Sequence, residues 1–187
     1  MNHIIFVSNN ENKFVEIRAF LIQHKIKLSF RKLNLLEVQS NSLEEIASQK
    51  ADFAFRIFCD DLIVEDTGLF INELNGFPGP YSSYVLKTIG NSGILRLLLN
   101  KSKRCATFKS VIAFSNGKQT RIFVGEVRGT ISNKVGKKGW GFDPIFIPTM
   151  ENSTYGEIGE RKIEISHRSA AIKKFINWYS DSYFRSK

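Results

Sequence analysis

Apolar positions recur with two different spacings along the chain. Unbroken runs at Ile4-Ile5-Phe6-Val7 and Leu62-Ile63-Val64 suit strands buried on both faces. Ile26 to Arg31 alternates apolar and polar and predicts a further strand. Helical spacing separates these runs. Phe14, Ile17, Phe20 and Leu21 share one broad face after the polar Ser8-Asn9-Asn10. Over Glu44 to Phe58, Ile46, Lys50, Ala54 and Phe58 stack at four-residue intervals, with Ala47 and Ala51 beside them.

The second half changes character. Asn75-Gly76-Phe77-Pro78-Gly79-Pro80 is the strongest turn cluster and opens a helical stretch from Tyr81 to Ile89. A second helix follows around Ser92 to Leu99. Residues 104–115 and 119–131 are strand-like, and Ser115-Asn116-Gly117-Lys118 between them is a hairpin signal. Lys137 to Pro148 reads as a Gly-rich, aromatic loop. The last helix begins at Ser166, with Ile172, Phe175, Ile176 and Tyr179 forming its apolar stripe. Helices alternate with strands early and a hairpin follows, so the expected class is α/β with a mixed, twisted sheet and flanking helices. The expected organisation is one domain over residues 1–187, built as two lobes.

Composition narrows the function classes. A chain of 187 residues buries enough surface to fold without disulfides or a structural metal. Cys59 and Cys105 lack Cys-x-x-Cys spacing and read as reduced, partly buried thiols. No apolar run is long enough to span a membrane, and the start lacks the charged region of a signal peptide, so a cytoplasmic location is expected. The net charge of +9 fits nucleic acid, an anionic small substrate or a basic proteome. The tightest clusters, Lys101-Lys103-Arg104 and Lys134-Lys137-Lys138, have no interleaved aromatics, so a stable nucleic-acid complex is not expected. A positive field does suit a polyphosphate.

Four segments carry candidate chemistry, each with a plainer alternative. Ser8-Asn9-Asn10-Glu11-Asn12-Lys13 joins a strand to a helix, where backbone N–H groups favour phosphate and Lys13 adds charge, with Glu16 one turn on. Simple capping by Asn10 or Asn12 explains the same residues. Glu65-Asp66-Thr67-Gly68 sets two carboxylates at the C-terminal end of a strand, the usual place for ligands in open α/β sheets. Adjacent strand residues point to opposite faces, so one of Glu65 and Asp66 faces a ligand. An acidic turn is the alternative. Glu37 would complete a two-carboxylate Mg²⁺ site, or is plain surface. In Lys138-Gly139-Trp140-Gly141-Phe142-Asp143-Pro144, Trp140 or Phe142 can stack on a purine and Asp143 can pair with a base edge. The alternative is a turn that plugs the core. Ser166 suits an N-cap, with His167 and Arg168 in the first helical turn. Arg168 there calls for a nearby anion, unless both basic residues face solvent.

Together these segments resemble the inosine triphosphate pyrophosphatase family, the dITP/XTP pyrophosphatases. Five motifs appear in the family's order: Ser8 to Lys13; Glu65-Asp66-Thr67-Gly68-Leu69; Asn75 to Ser82; Gly139 to Pro144; and Ser166-His167-Arg168. Ser83-Tyr84-Val85 resembles the archaeal members. The resemblance implies two lobes around a central nucleotide-binding cleft, a Mg²⁺ cofactor and a homodimer. It also implies roles. Ser8, Asn9, Asn10, Glu11, Asn12 and Lys13 would hold the triphosphate, and Thr67 would contact substrate. Asp66 would accept a proton and, with Glu37, bind metal; Lys13 would assist catalysis. Trp140, Gly141, Phe142 and Asp143 would form the base pocket, Lys162 would contact the nucleotide, and His167 and Arg168 would read the purine. Departures from the family pattern are Leu36 in place of Pro, Ser40 in place of Gly, and Ile163 in place of Asn.

The implied reaction is metal-assisted hydrolysis of ITP, dITP or XTP to the monophosphate and pyrophosphate, clearing deaminated purines from the nucleotide pool. A septum-inhibitor-like pyrophosphatase acting on pyrimidine nucleotides and a nucleic-acid-binding module are the competing readings. The first lacks the Trp140 and Ser166 motifs, and the second gives Glu37 and Asp66 no task.

Overall fold

The computed structural model describes residues 3–180. In chain order the elements are β1 (His3–Ser8), α1 (Glu11–Gln23), β2 (Lys27–Lys32), α2 (Leu43–Phe58), β3 (Leu62–Ile71), β4 (Pro78–Gly79), α3 (Ser82–Thr88), α4 (Gly90–Leu97), β5 (Cys105–Ser115), β6 (Thr120–Ile131), β7 (Phe146–Pro148), α5 (Tyr155–Ile158), α6 (Lys162–Ile165) and α7 (His167–Trp178). Single 3-10 turns lie at Asn72–Leu74 and Gly159–Arg161. The strands form one mixed sheet in the order β2-β1-β3-β5-β6-β7, with β4 paired to β3. The α/β class expected from the spacing is therefore observed. β1 runs parallel to both β2 and β3, while β4 and β7 are antiparallel to their neighbours.

Two compact units divide the chain. The first is Met1–Asp66, Ser110–Gly125 and Arg168–Lys187, and the second is Thr67–Lys109 and Glu126–His167. The first unit is built on Ile4 and Phe6 of β1, Ile63 of β3, Ile17 and Leu21 of α1, and the α7 stripe Ile172, Phe175 and Ile176. Aromatic rings dominate it. Phe14 and Phe30 stack with centroids 4.8 Å apart, and Phe123 meets Phe175 edge-on at 5.5 Å. Such pairs add ~0.5–1.5 kcal/mol each beyond area burial. Asn10 caps α1 by accepting from the Asn12 and Lys13 N–H groups, and Ser42 caps α2 through Glu45 N–H. In the β5–β6 turn, Asn116 Oδ1 accepts from the N–H groups of Lys118 and Gln119, as the Asn-Gly signal predicts.

The second unit has its own core of Leu69, Ile71, Val85, Ile94, Phe108, Phe142, Phe146 and Tyr155. Two glycines are required there by close approach. A Cβ on Gly68 would lie 2.6 Å from the Gly79 carbonyl oxygen, and one on Gly156 would lie 1.9 Å from that of Lys138. Either substitution would force the facing backbone away.

Three expectations need correction. β3 does not end at the acidic pair but continues to Ile71, because Leu69 and Ile71 alternate into the second core and β4 pairs beside them. Asp66 is thus mid-strand. Residues 137–148 are not loop throughout, since Phe146–Pro148 pairs with β6 as β7. Cys59 and Cys105 are exposed, not partly buried. Cys59 ends α2 in a left-handed conformation (φ 51°) at the surface, and Cys105 is the exposed first residue of β5. The last helix starts at His167, within a residue of the expected Ser166.

Candidate active site

The first unit brings Glu37 and Asp66 together around a lysine. Lys50 Nζ donates to Glu37 Oε1 and to Asp66 Oδ1, both at 2.6 Å. The two carboxylates come from different segments, the irregular chain between β2 and α2 and the middle of β3. Lys50 stands on the buried face of α2 beside Ala47, Ala51 and Ala54. Small neighbours leave room for its stem to run inward to the charges. Asp66 Oδ2 is buried and has no hydrogen-bond partner among the described residues. Burial raises the Asp66 pKa, with Lys50 and Lys13 only partly offsetting it. Burial opposes the charge on Lys50, but Asp66 and then Glu37 outweigh it and hold the ammonium's pKa above its ordinary value.

Glu65, one residue earlier, takes the other face of β3 and a different task. Its side chain is fully buried. Oε1 accepts from Ser110 Oγ at 2.6 Å and Arg168 Nε at 3.1 Å, and Oε2 lies 2.7 Å from Lys13 Nζ. Lys13 Nζ also donates to the Glu65 carbonyl at 3.1 Å. Arg168 NH1 pairs in turn with Glu16. Burial alone would raise the Glu65 pKa; Arg168 and then Lys13 outweigh it and hold the carboxyl well below the usual range. Arg168 is 2% exposed, so the reading in which it faces solvent is wrong, and the anion its helix position calls for is supplied by Glu65 and Glu16.

In the Ser8–Lys13 segment capping is realised, with Asn10 as the cap, not Asn12. Ser8 Oγ accepts from Asn10 N–H at 3.1 Å, and Asn9 Nδ2 donates to Asn34 Oδ1 at 3.1 Å. Glu11 is exposed and paired with Lys32. Of these side chains, Lys13 is the one brought to the acidic residues.

The base-reading candidates belong to the second unit, apart from Arg168. Asp143 and Lys162 form a buried ion pair at 2.7 Å, and Lys162 Nζ also sits 4.8 Å from the Trp140 ring centroid. Asn91 Nδ2 donates to the Gly141 carbonyl at 3.0 Å and ties down the turn. Phe142 is 2% exposed and meets Phe108 edge-on, so its ring is core and Trp140 is the aromatic left half-exposed. His167 is 1% exposed and stacks on Phe108 with centroids 3.9 Å apart, so the reading in which its ring faces solvent is wrong as well. Thr67 is half-buried in β3.

The Ham1 family model matches residues 4–178, nearly the whole described chain. The chain belongs to the Ham1 family. The resemblance carried by the five motifs is thereby borne out. A dITP/XTP pyrophosphatase of Korarchaeum cryptofilum is 47% identical over 171 residues, 91% of this chain and 92% of its own. Another from Methanopyrus kandleri is 44% identical over 182 residues, 96% and 97% of the two chains. Solved Ham1 structures share the fold. The Staphylococcus aureus protein matches with a TM-score of 0.82 at 29% identity, covering 96% of this chain and 98% of that one. The Coxiella burnetii protein matches at 0.85 and 27%, covering 97% and 100%.

Sequence reasoning missed three participants in this Ham1 chain: Lys50, Ser110 and Asn91. Lys50 had a readable signal, a lysine in the apolar stripe of a helix, which demands an anionic partner. Ser110 and Asn91 had none, because their partners lie 45 and 50 residues away.

Proposed function

We propose that this Ham1-family protein hydrolyses dITP, XTP and ITP to the nucleoside monophosphate and pyrophosphate with Mg²⁺ as cofactor. The observation that carries the reading is the pair Glu37 and Asp66 held on either side of one cationic group. The donor set fits Mg²⁺, which takes one or two carboxylates and completes its shell with phosphate and water. No cluster of three or more His, Cys, Asp or Glu side chains suited to a metal exists among the described residues, so an all-protein cage is not the design. Held by Glu37 and Asp66, Mg²⁺ would supply Lewis-acid polarisation of the phosphate oxygens.

The chain's own residues do the rest. Asp66 accepts the proton of the attacking water at its carboxylate, or aligns that water. Lys13 stabilises charge that develops on the phosphate chain, held in place by Glu65. Trp140 offers a ring for purine stacking, and the Asp143–Lys162 pair presents a fixed donor and acceptor beside it. A cationic donor rewards a 6-keto oxygen and leaves a 6-amino group unpaired, the kind of mismatch that discriminates strongly. Phosphate-handling residues belong to the first unit, and most of the base-reading candidates to the second. A homodimer and a cytoplasmic location complete the reading; light scattering in solution checks the first.

The test is hydrolysis of dITP, XTP, ITP, GTP, ATP and UTP with and without Mg²⁺, read as pyrophosphate release. Deaminated purines are expected to lead. Asp66→Asn is expected to lower turnover by about tenfold or more, equivalent to ~1.4 kcal/mol of barrier. A preference for UTP, or unchanged turnover in the variant, overturns the reading.

A further inference from the structure

Lys50 holds the position in which the metal reading needs a dication. Its Nζ contacts Glu37 Oε1 and Asp66 Oδ1 at equal distances of 2.6 Å. An ammonium and a divalent cation cannot share the space between the same two carboxylate oxygens, because they repel and require the same lone pairs. The geometry points to Lys50 as a built-in counter-ion that occupies the divalent-cation position and yields it only to an incoming polyphosphate. This rests on the metal-site reading given above.

Charge and burial carry the argument. With Lys50 in place, one ammonium faces two carboxylates and a single net negative charge remains; without it there are two. A dication arriving alone therefore meets less negative charge from this pair, while Lys13 and Glu65 act on Asp66 with or without Lys50. It must also drive out an ammonium whose side chain is 10% exposed, leaving that charge buried without its partners. A polyphosphate removes the obstacle. Its oxygens accept the Lys50 hydrogen bonds and release both carboxylates. The lysine stem is flexible enough to make the change by rotamer alone. The exchange has an open side, since the Glu37 side chain is 62% exposed while that of Asp66 is 12% exposed. The buried Asp66 Oδ2 gives the arriving cation a second oxygen on the same carboxylate. Metal and triphosphate consequently bind together, and the protein does not sit charged with metal between turnovers.

Mn²⁺ titration of the full-length chain without nucleotide tests this, with free Mn²⁺ read by electron paramagnetic resonance. Lys50→Met is expected to bind one Mn²⁺ about tenfold or more tighter than wild type. Lys50→Arg should match wild type, and adding Glu37→Gln to Lys50→Met should abolish the gain. Folding is verified by circular dichroism. Should Lys50→Met fail to fold, Lys50→Gln, which keeps donors toward Asp66, carries the same expectation. Mn²⁺ affinity that is unchanged or weaker in the folded neutral variant overturns the counter-ion role. Mg²⁺-dependent hydrolysis by wild type is scored separately: its absence removes the metal-site reading, whereas its presence with unchanged Mn²⁺ affinity removes only the role of Lys50.

Discussion

Replacing Glu65 by Gln isolates the buried ion network, since it removes the charge and keeps the shape. Three donors then lose their anion: Ser110 Oγ, Arg168 Nε and Lys13 Nζ. Arg168 and Glu65 have side chains 2% and 0% exposed, so water cannot replace the lost charge. Breaking a buried pair by removing one partner costs ~3–5 kcal/mol. Arg168 retains Glu16, and Lys13 at 16% exposure reaches some solvent, which favours the lower end. The expected loss is about 3 kcal/mol, or a fall in Tm of roughly 6–12 °C for a chain this size. Urea unfolding at pH 7 and thermal scans followed by circular dichroism measure both. Glu11→Gln is the control, because Glu11 and Lys32 have side chains 68% and 66% exposed and their pair should not register. A loss below ~1 kcal/mol in Glu65→Gln would refute the argument that this carboxylate neutralises one buried cation and one half-buried one.

The same carboxyl gives a pH signature. Its folded-state pKa lies below the unfolded value of 4.5, so the unfolded chain takes up the proton first as pH falls. Its contribution is full above that value, fades as pH drops below it, and is gone below the folded value; Glu65→Gln should flatten this part of the stability–pH curve. Trp140→Ala removes the half-exposed ring beside Lys162. Loss of base stacking worth ~1–3 kcal/mol should raise the KM for dITP roughly 5- to 150-fold with a smaller change in kcat. An unchanged KM would remove Trp140 from the base site.

Long periodic elements were legible in the chain because their cores follow simple spacing. α2 buries Ile46, Ala47, Lys50, Ala51 and Ala54 of the stripe that the sequence marks, with Phe58 half-buried, and α7 buries Ile172, Phe175 and Ile176. The stretch from Tyr155 to Ile165 was not, because two four-residue helices separated by a 3-10 turn are too short to show a period. The end of β3 was misread because Asp66-Thr67-Gly68 is good turn chemistry, yet Gly68 is demanded here by the Gly79 backbone. At the site, the residues alone left Glu65 and Asp66 interchangeable, and the choice of Asp66 with Glu37 came from the family resemblance. Only the pleat separates them, sending one to Arg168, 103 residues away, and the other to Lys50. Phe142 and Trp140 looked equivalent for the same reason, and only packing against Phe108 tells them apart.

The chain holds two tryptophans, and the two units have one each. Trp178 lies among Phe114, Phe123 and Phe175 with the Arg121 guanidinium 5.0 Å from its ring, while Trp140 lies under the Lys162 ammonium. Each unit therefore carries its own intrinsic fluorophore. Emission from a Trp140→Phe chain reports on the surroundings of Trp178 in the first unit, and emission from a Trp178→Phe chain on those of Trp140 in the second, without any attached dye.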